Sequence, residues 1–462
     1  MAHAQRPQRQ YRSSLPAAQV STGDLNLWSI LKNAIGKELS KITMPVGFNE
    51  PLSFLQRMTE YMEYAHLLRL ASEQDDPVAR MQYVAAFAVS ALGSNWQRLG
   101  KPFNPLLGET FELERPEFRI ICEQVSHHPP VSAFHADSEH FVFHGSIHPK
   151  IKFWGKSVEI TPKGTVTVEL PKWKEAYTWT NVNCCVHNII IGKLWIEQSG
   201  TMEVVNHSTG HRAILDFKSG SSSKDMHRVE GFILDKEKKK IKFMYGKWTE
   251  LFRVTDPQSY EDYLKENAHK FKSEKEKKES KSDSSPAHTP KRVLAKLNSL
   301  KVSPFKASVS TDNDDGPDDP PEGDIPASDS TYSIDIPNSV TLWEADQRPD
   351  NSTEYYNFTR FAMALNEIDE ELKGKLCPTD SRLRPDIRKL EEGEVEGAAA
   401  EKNRLEEKQR ETRKRKSTTS KKEEKWKPRW FNLEPNPHTG QEDWIYQGGY
   451  WERNFQGIED IF

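Results

Sequence analysis

The sequence is poor in the features that would place it in a membrane or outside a cell. No stretch approaches the roughly 20 apolar residues of a spanning helix, and the first residues lack the apolar core of a secretory signal. Cysteine is scarce: the 4 cysteines, Cys122, Cys184, Cys185 and Cys377, form no C-x-x-C and no framework spacing. The chain therefore reads as a reduced protein of the cytosol. Apolar residues are 35% of the chain against 29% charged, too few for one compact globule, so part of it is expected to be disordered. A net charge of -4 excludes a protein basic throughout, and an anionic partner must be met by a local patch. Catalytic signatures are missing too. There is no H-E-x-x-H and no G-x-S-x-G; Gly155-Lys156-Ser157 lacks the earlier glycine of a phosphate loop; Cys184-Cys185 with His187 reads as a strand-borne buried pair rather than a thiol nucleophile. No enzyme activity and no cofactor are expected. Nucleic-acid binding would have to use Arg413-Lys414-Arg415-Lys416, which reads as a solvated helix end or a membrane-facing patch, and a nucleic-acid partner is not expected.

What the sequence does have is an unusual stretch from Cys122 to Phe134, in which His127-His128 run into Pro129-Pro130. Metal-binding histidine pairs are spaced so that both rings converge on one small ion, as at i and i+4 of a helix. These are adjacent, and the residue before a proline is extended, so the two rings are expected to point to opposite faces. No metal site is expected. A larger anion such as a phosphate monoester could meet one or both rings and favour their protonated forms.

Along the chain, residues 1–20 read as a disordered start. Leu25, Leu27, Trp28, Leu31 and Ile35 then fall at helical spacing, giving a short amphipathic helix. A helical region is expected over about 50–100. Over about 105–256 the period switches to two, with short alternating runs at Phe141–Ile147, Thr165–Leu170, Met202–Val205, Arg212–Phe217, Val229–Leu234 and Ile241–Tyr245. Strands in such succession without helices between them argue for an antiparallel meander closing into a barrel. Residues 271–337 are Lys-rich, then Ser/Thr-Pro-containing (Ser285, Thr289, Ser303), then acidic from Asp312, and are expected to be a disordered linker and phosphorylation target. From 338 aromatics return, followed by a charged helix from about Glu394 to Lys425 and a Trp-rich end expected to pack back on the core.

Glu123-Gln124-Val125-Ser126-His127-His128-Pro129-Pro130 resembles the fingerprint of the oxysterol-binding-protein-related lipid-transfer family. Three further stretches are similar to motifs of that family in the same order: Lys101-Pro102-Phe103-Asn104-Pro105-Leu106-Leu107-Gly108-Glu109, Pro378-Thr379-Asp380-Ser381-Arg382-Leu383-Arg384-Pro385-Asp386, and the helix from Lys402 to Arg410. The resemblance implies an α+β, mainly β fold: an incomplete many-stranded antiparallel barrel with a central hydrophobic tunnel, an N-terminal lid over about 21–48, helices before the barrel and a C-terminal helical subdomain. The lipid-binding domain would then comprise 21–270 and 338–462. It also implies exchange of phosphatidylinositol 4-phosphate for a sterol or phosphatidylserine between membranes, with transient contact to anionic membrane surfaces. Asn49-Glu50-Pro51-Leu52-Ser53-Phe54-Leu55-Gln56-Arg57 looks nearest to the short, sterol-handling branch. No pleckstrin-homology or ankyrin module is seen, as in a short form or a fragment. Ser303-Pro304-Phe305-Lys306-Ala307 matches poorly the acidic diphenylalanine motif of the contact-site receptor, and receptor binding is not expected.

Carried over by motif, Lys101, Asn104, His127, His128, Lys402, Glu406 and Arg410 would contact the phosphoinositide headgroup, and Leu25, Trp28, Leu31 and Ile35 would cover the tunnel and its sterol. From spacing alone, Lys402, Glu406 and Arg410 read as a solvated, salt-bridged face, Lys101 as a surface lysine, and the Leu25 stripe as core; the motif resemblance reverses those readings. The lid has an energetic rationale: at ~0.8 kcal/mol per buried CH2, exposing about twenty apolar lipid carbons to water costs on the order of 15 kcal/mol.

Overall fold

A computed structural model of the protein describes residues 11–20, 44–189, 194–220, 226–267, 335–419 and 426–462. Leu25, Trp28, Leu31 and Ile35, and the segment expected as a linker up to residue 334, lie outside the described residues. The chain divides into two compact units, one of Met1–Pro257 with Pro321–Phe462 and the other of Gln258–Pro320.

In the first unit, β1 (Asn49–Ser53) leads into α1 (Phe54–Thr59), α2 (His66–Glu73) and α3 (Pro77–Ser90). Local chemistry explains the breaks. Gln56 reaches back to accept the Ser53 N–H at 2.8 Å, and Asp76 caps α3 by accepting from Val78 and Ala79 ahead of a proline at the first helical position. The helical region expected from about residue 50 thus opens with a strand, because Asn49 and Ser53 pair in parallel with β2 (Lys101–Phe103).

A large sheet follows. Its strands are β3 (Thr110–Arg115), β4 (Phe118–His127), β5 (Pro130–Asp137), β6 (Val142–Phe153), β7 (Val158–Lys163), β8 (Val166–Leu170), β9 (Glu175–Trp179), β10 (Asn183–His187), β11 (Trp195–Asn206), β12 (Arg212–Phe217), β13 (Arg228–Leu234), β14 (Lys240–Lys247), β15 (Leu251–Thr255) and β16 (Val340–Glu344). Every pairing in it is antiparallel. Order runs from β16 down to β10, then β7 to β3, while β8 and β9 form a second bridge between β6 and β11. The two long strands make this possible: β6 pairs with β8 through its first half and with β7 through its second. Among the described residues no pairing joins β3 to β16. The main apolar core lies between α1–α3 and the sheet, with Phe87, Phe134, Phe143 and Trp179 in aromatic contact.

After β16 come α4 (Pro385–Glu391) and α5 (Val395–Thr419), then the hairpin β17 (Phe431–Pro435) and β18 (Glu442–Tyr446). Trp430, Phe431 and Tyr450 bury against Ile121, Val125 and Ala133, so the aromatic end does pack back on the fold.

Candidate site for an anionic headgroup

Four separated segments meet where β2, the following loop and the end of β4 face α5. Lys101 stands at the start of β2, half-buried, and its Nζ donates to Asn104 Oδ1 at 3.1 Å. The loop from Asn104 to Glu109 is held from behind. Glu109 is fully buried and its Oε2 accepts the Leu106 N–H at 2.9 Å and Arg384 Nη1 at 2.7 Å. The same Arg384 donates to the Asn104 carbonyl at 2.9 Å and pairs with Asp386 at 2.7 Å. Burial opposes the charge on this guanidinium, but Asp386 and Glu109 outweigh it and keep it protonated. Gly108, at φ +81°, turns the loop in left-handed geometry, and its N–H reaches the Gln124 carbonyl of β4 at 3.0 Å. The two motifs 101–109 and 378–386 therefore belong together physically: the second is the clamp that shapes the first.

On the opposite side, α5 presents Lys402 and Glu406, paired at 2.8 Å. Gln409 lies between them and β4: its Nε2 donates to His127 Nε2 at 2.9 Å and its Oε1 accepts the Leu107 N–H at 2.7 Å. His128 is exposed, and its ring meets that of His127 edge to face with centroids 4.7 Å apart. This differs from the expected opposite-facing rings. The alternation of an extended chain fails here because the register of β4 against β5 shifts between Gln124 and Ser126 and the chain reverses at once, pairing His127 with Pro130; the His128–Pro129 bond is cis.

Electrostatically the site is an excess of cations. Burial is the main reason that Lys101 falls to about 8, and Lys402 and Arg384 add repulsion that Glu406 only partly offsets. Burial also depresses His127 to about 4, helped by His128 and Arg413 and opposed by the Pro105 carbonyl and Glu406. Both are groups that an incoming anion would recharge.

The structure thus brings together Lys101, Asn104, His127, His128, Lys402 and Glu406. Arg410 is exposed and bonds to no described residue; the helix cation felt at His127 is Arg413. Residues 402, 406, 409 and 413 share one helix face at 100° per residue, whereas 410 is turned about 80° from 402. Gln409, Arg413 and the Arg384–Glu109 clamp were not assigned to this site from sequence. The first two could have been found by extending the 402–406 face by one and then two turns; nothing local marks the clamp. Among the described residues no group of His, Cys, Asp and Glu is gathered to hold a metal ion, and no helix is long and apolar enough to cross a membrane.

A mainly β domain with an antiparallel sheet and this half-buried cationic cluster suits an anionic ligand, and comparison with known proteins supplies the class. The model of the family described as oxysterol-binding protein matches residues 26–455, and the chain belongs to that family. It is 53% identical over 459 residues to oxysterol-binding protein-related protein 1 of Homo sapiens, covering 98% of this chain and 44% of that protein. To oxysterol-binding protein-related protein 2 of Homo sapiens it is 51% identical, covering 98% and 88%. It therefore spans less than half the length of the first relative. Among solved structures, the Osh1 ORD domain in complex with cholesterol is similar with a TM-score of 0.76 at 31% identity, covering 98% and 95% of the two chains. The Osh3 ORD in complex with PI(4)P from Saccharomyces cerevisiae gives 0.71 at 31%, covering 98% and 99%.

Proposed function

We propose that this protein carries a sterol and exchanges it for phosphatidylinositol 4-phosphate between membranes, taking either lipid in an apolar tunnel inside an incomplete barrel. The observation that carries the reading is the convergence of Lys101, His127, His128, Lys402 and Glu406, from segments far apart in sequence, on one half-buried site with more positive than negative charge. A phosphorylated inositol supplies the missing anions through charge-assisted hydrogen bonds. A sterol offers one hydroxyl and needs the apolar tunnel. The two lipids then exclude each other while depending on different residues. That similar domains are solved with cholesterol and with PI(4)P supports the pairing. Residues 21–48 act as the lid over the tunnel in this reading, and 271–337 as a regulatory linker.

Charge reversal at Lys101 tests it. Lys101→Glu is expected to abolish extraction of phosphatidylinositol 4-phosphate from liposomes, to leave sterol extraction within about twofold, and to make bound sterol resistant to displacement by the phosphoinositide. Equal loss of both ligands, in a variant that still melts cooperatively, would refute separate headgroup recognition. Transfer of fluorescent lipid between two liposome populations separates a carrier from a sensor that binds without net transfer, and phosphatidylserine is the next ligand if neither lipid is extracted.

A further inference from the structure

Three consecutive backbone N–H groups of the headgroup loop have different fates. Leu106 N–H is taken by the buried Glu109 carboxylate at 2.9 Å and Gly108 N–H by the Gln124 carbonyl at 3.0 Å, both within the scaffold. Leu107 N–H instead points at α5 and is taken by the side chain of Gln409 at 2.7 Å. It is the donor of the three that a ligand can claim by moving one side chain.

That bond also fixes the chemistry on its other side. Only the oxygen of a carboxamide can accept an N–H, since its nitrogen has no free lone pair, so Gln409 is oriented with Oε1 on Leu107 and its NH2 toward His127. The NH2 then donates to His127 Nε2 at 2.9 Å, which requires a lone pair there. His127 is accordingly neutral with its proton on Nδ1, the nitrogen buried without a well-formed partner on the Pro105 side. In this state His127 has no N–H to offer a phosphate oxygen, and Leu107 N–H is occupied. An anion cannot use either group while Gln409 stays.

We infer that Gln409 is a placeholder in the headgroup site: it satisfies Leu107 N–H and His127 Nε2 in the unliganded protein and swings out when a phosphorylated headgroup enters, freeing both for phosphate oxygens. The inference rests on the proposed phosphoinositide function. A headgroup oxygen at Nε2 needs a proton on that nitrogen, which the Gln409 N–H donor excludes, so departure of Gln409 and arrival of a proton at Nε2 are one event. Bound lipid pays for this by the hydrogen bonds Gln409 gives up as well as by the change at His127, and a shorter side chain removes the first cost.

The test uses the full chain and phosphatidylcholine vesicles containing phosphatidylinositol 4-phosphate. Gln409→Ala is expected to extract the lipid with affinity roughly fivefold tighter, the scale of a neutral hydrogen bond no longer surrendered. Gln409→Glu, whose carboxylate repels phosphate and pairs with a charged His127, is expected to bind more weakly than wild type. A Gln409→Ala variant that melts like wild type but binds equally or more weakly overturns the inference, since a contact or loop-positioning residue loses affinity on truncation. Should Gln409→Ala not fold, the 15N shifts of His127 in histidine-labelled wild type decide. They are expected to report a neutral Nδ1–H ring before lipid and a proton on Nε2 after it; a ring unchanged by bound lipid overturns the placeholder. A wild type that extracts no phosphoinositide at all sinks the proposed function instead.

Discussion

Lys101 is held beside a cation it repels, Lys402, and an anion already engaged by that cation, Glu406, within a site that strips water from its ammonium. Its folded pKa of about 8 lies below the ordinary lysine value of 10.5, so between those limits the unfolded chain binds more protons than the fold. Stability of the unliganded protein therefore rises as pH increases through that window, and below about 8 the fold carries the full cost of the charge. A bound phosphate reverses the balance by stabilising the ammonium. Phosphoinositide affinity is then expected to fall as pH rises above about 8, approaching tenfold per unit, because binding must recharge Lys101. In Lys101→Arg the side chain stays protonated, and the slope in that window should vanish whatever the variant's absolute affinity. Calorimetric titration at several pH values measures it. A wild-type affinity flat from pH 8 to 10 would remove Lys101 from the headgroup contacts.

At the scale of elements, the fingerprint strand β4 serves two sides of the molecule. Ile120 and Cys122 belong to the core beneath the helices, while Ile121 and Val125 bury under Trp430, Phe431 and Tyr450. Glu123, in the same strand, accepts the N–H groups of Arg429 and Trp430 at 2.9 and 3.0 Å. Burial raises this carboxyl to about 7, against the pull of those two N–H groups. Its place in the motif is thus to anchor the C-terminal segment rather than to meet a ligand. Glu123→Ala would orphan both amides, at about 1–3 kcal/mol. Faster hydrogen exchange at Arg429 and Trp430 with a lowered denaturation midpoint is the expected result; unchanged exchange there would show that the aromatic contacts alone hold the segment. The double burial also explains what could be read from sequence. Arg212–Phe217 alternates cleanly and is strand β12 with those same ends, and Val229–Leu234 falls within β13. In β4 the six successive residues Ile120 to Val125 are all buried, so period two is erased and the strand is recognisable by its motif and not by its pattern. β1 hid for another reason: its five residues are all buried and its ends, Asn49 and Ser53, pair with a strand about fifty positions away, and no local signal carries a parallel partner. The 402–406 face was legible from helical spacing, whereas Gln409 entered the site through a neutral side chain that no charge pattern marks.

For the molecule as a whole, the decisive feature is that β15 and β16 are neighbours in one sheet although most of a small domain's length of chain separates them. Leu251 pairs with Glu344, Phe252 with Trp343 and Val254 with Val340, and Arg253 bonds Asp335 at 2.7 Å just before β16 begins. Antiparallel partners sit about 5 Å apart, so the two ends of the intervening segment are already where a short connection could join them. Closing a loop costs little more as it lengthens, about 0.6 kcal/mol per doubling, and the reverse holds for shortening. The composition of 271–334, Lys-rich and then acidic with repeated prolines, offers little apolar surface that the sheet would miss. We therefore propose that residues 274–333 are dispensable for the fold and serve regulation through their Ser-Pro and Thr-Pro sites. Replacing them with a short Gly-Ser bridge should leave the thermal midpoint at or slightly above that of the full chain and lipid transfer between liposomes within about threefold. A deletion variant that no longer melts cooperatively would place part of this segment in the core. One that melts normally but transfers far faster would give the segment an inhibitory role, and phosphomimetic changes at Ser285, Thr289 and Ser303 in the full chain would then be expected to shift the rate in the same direction.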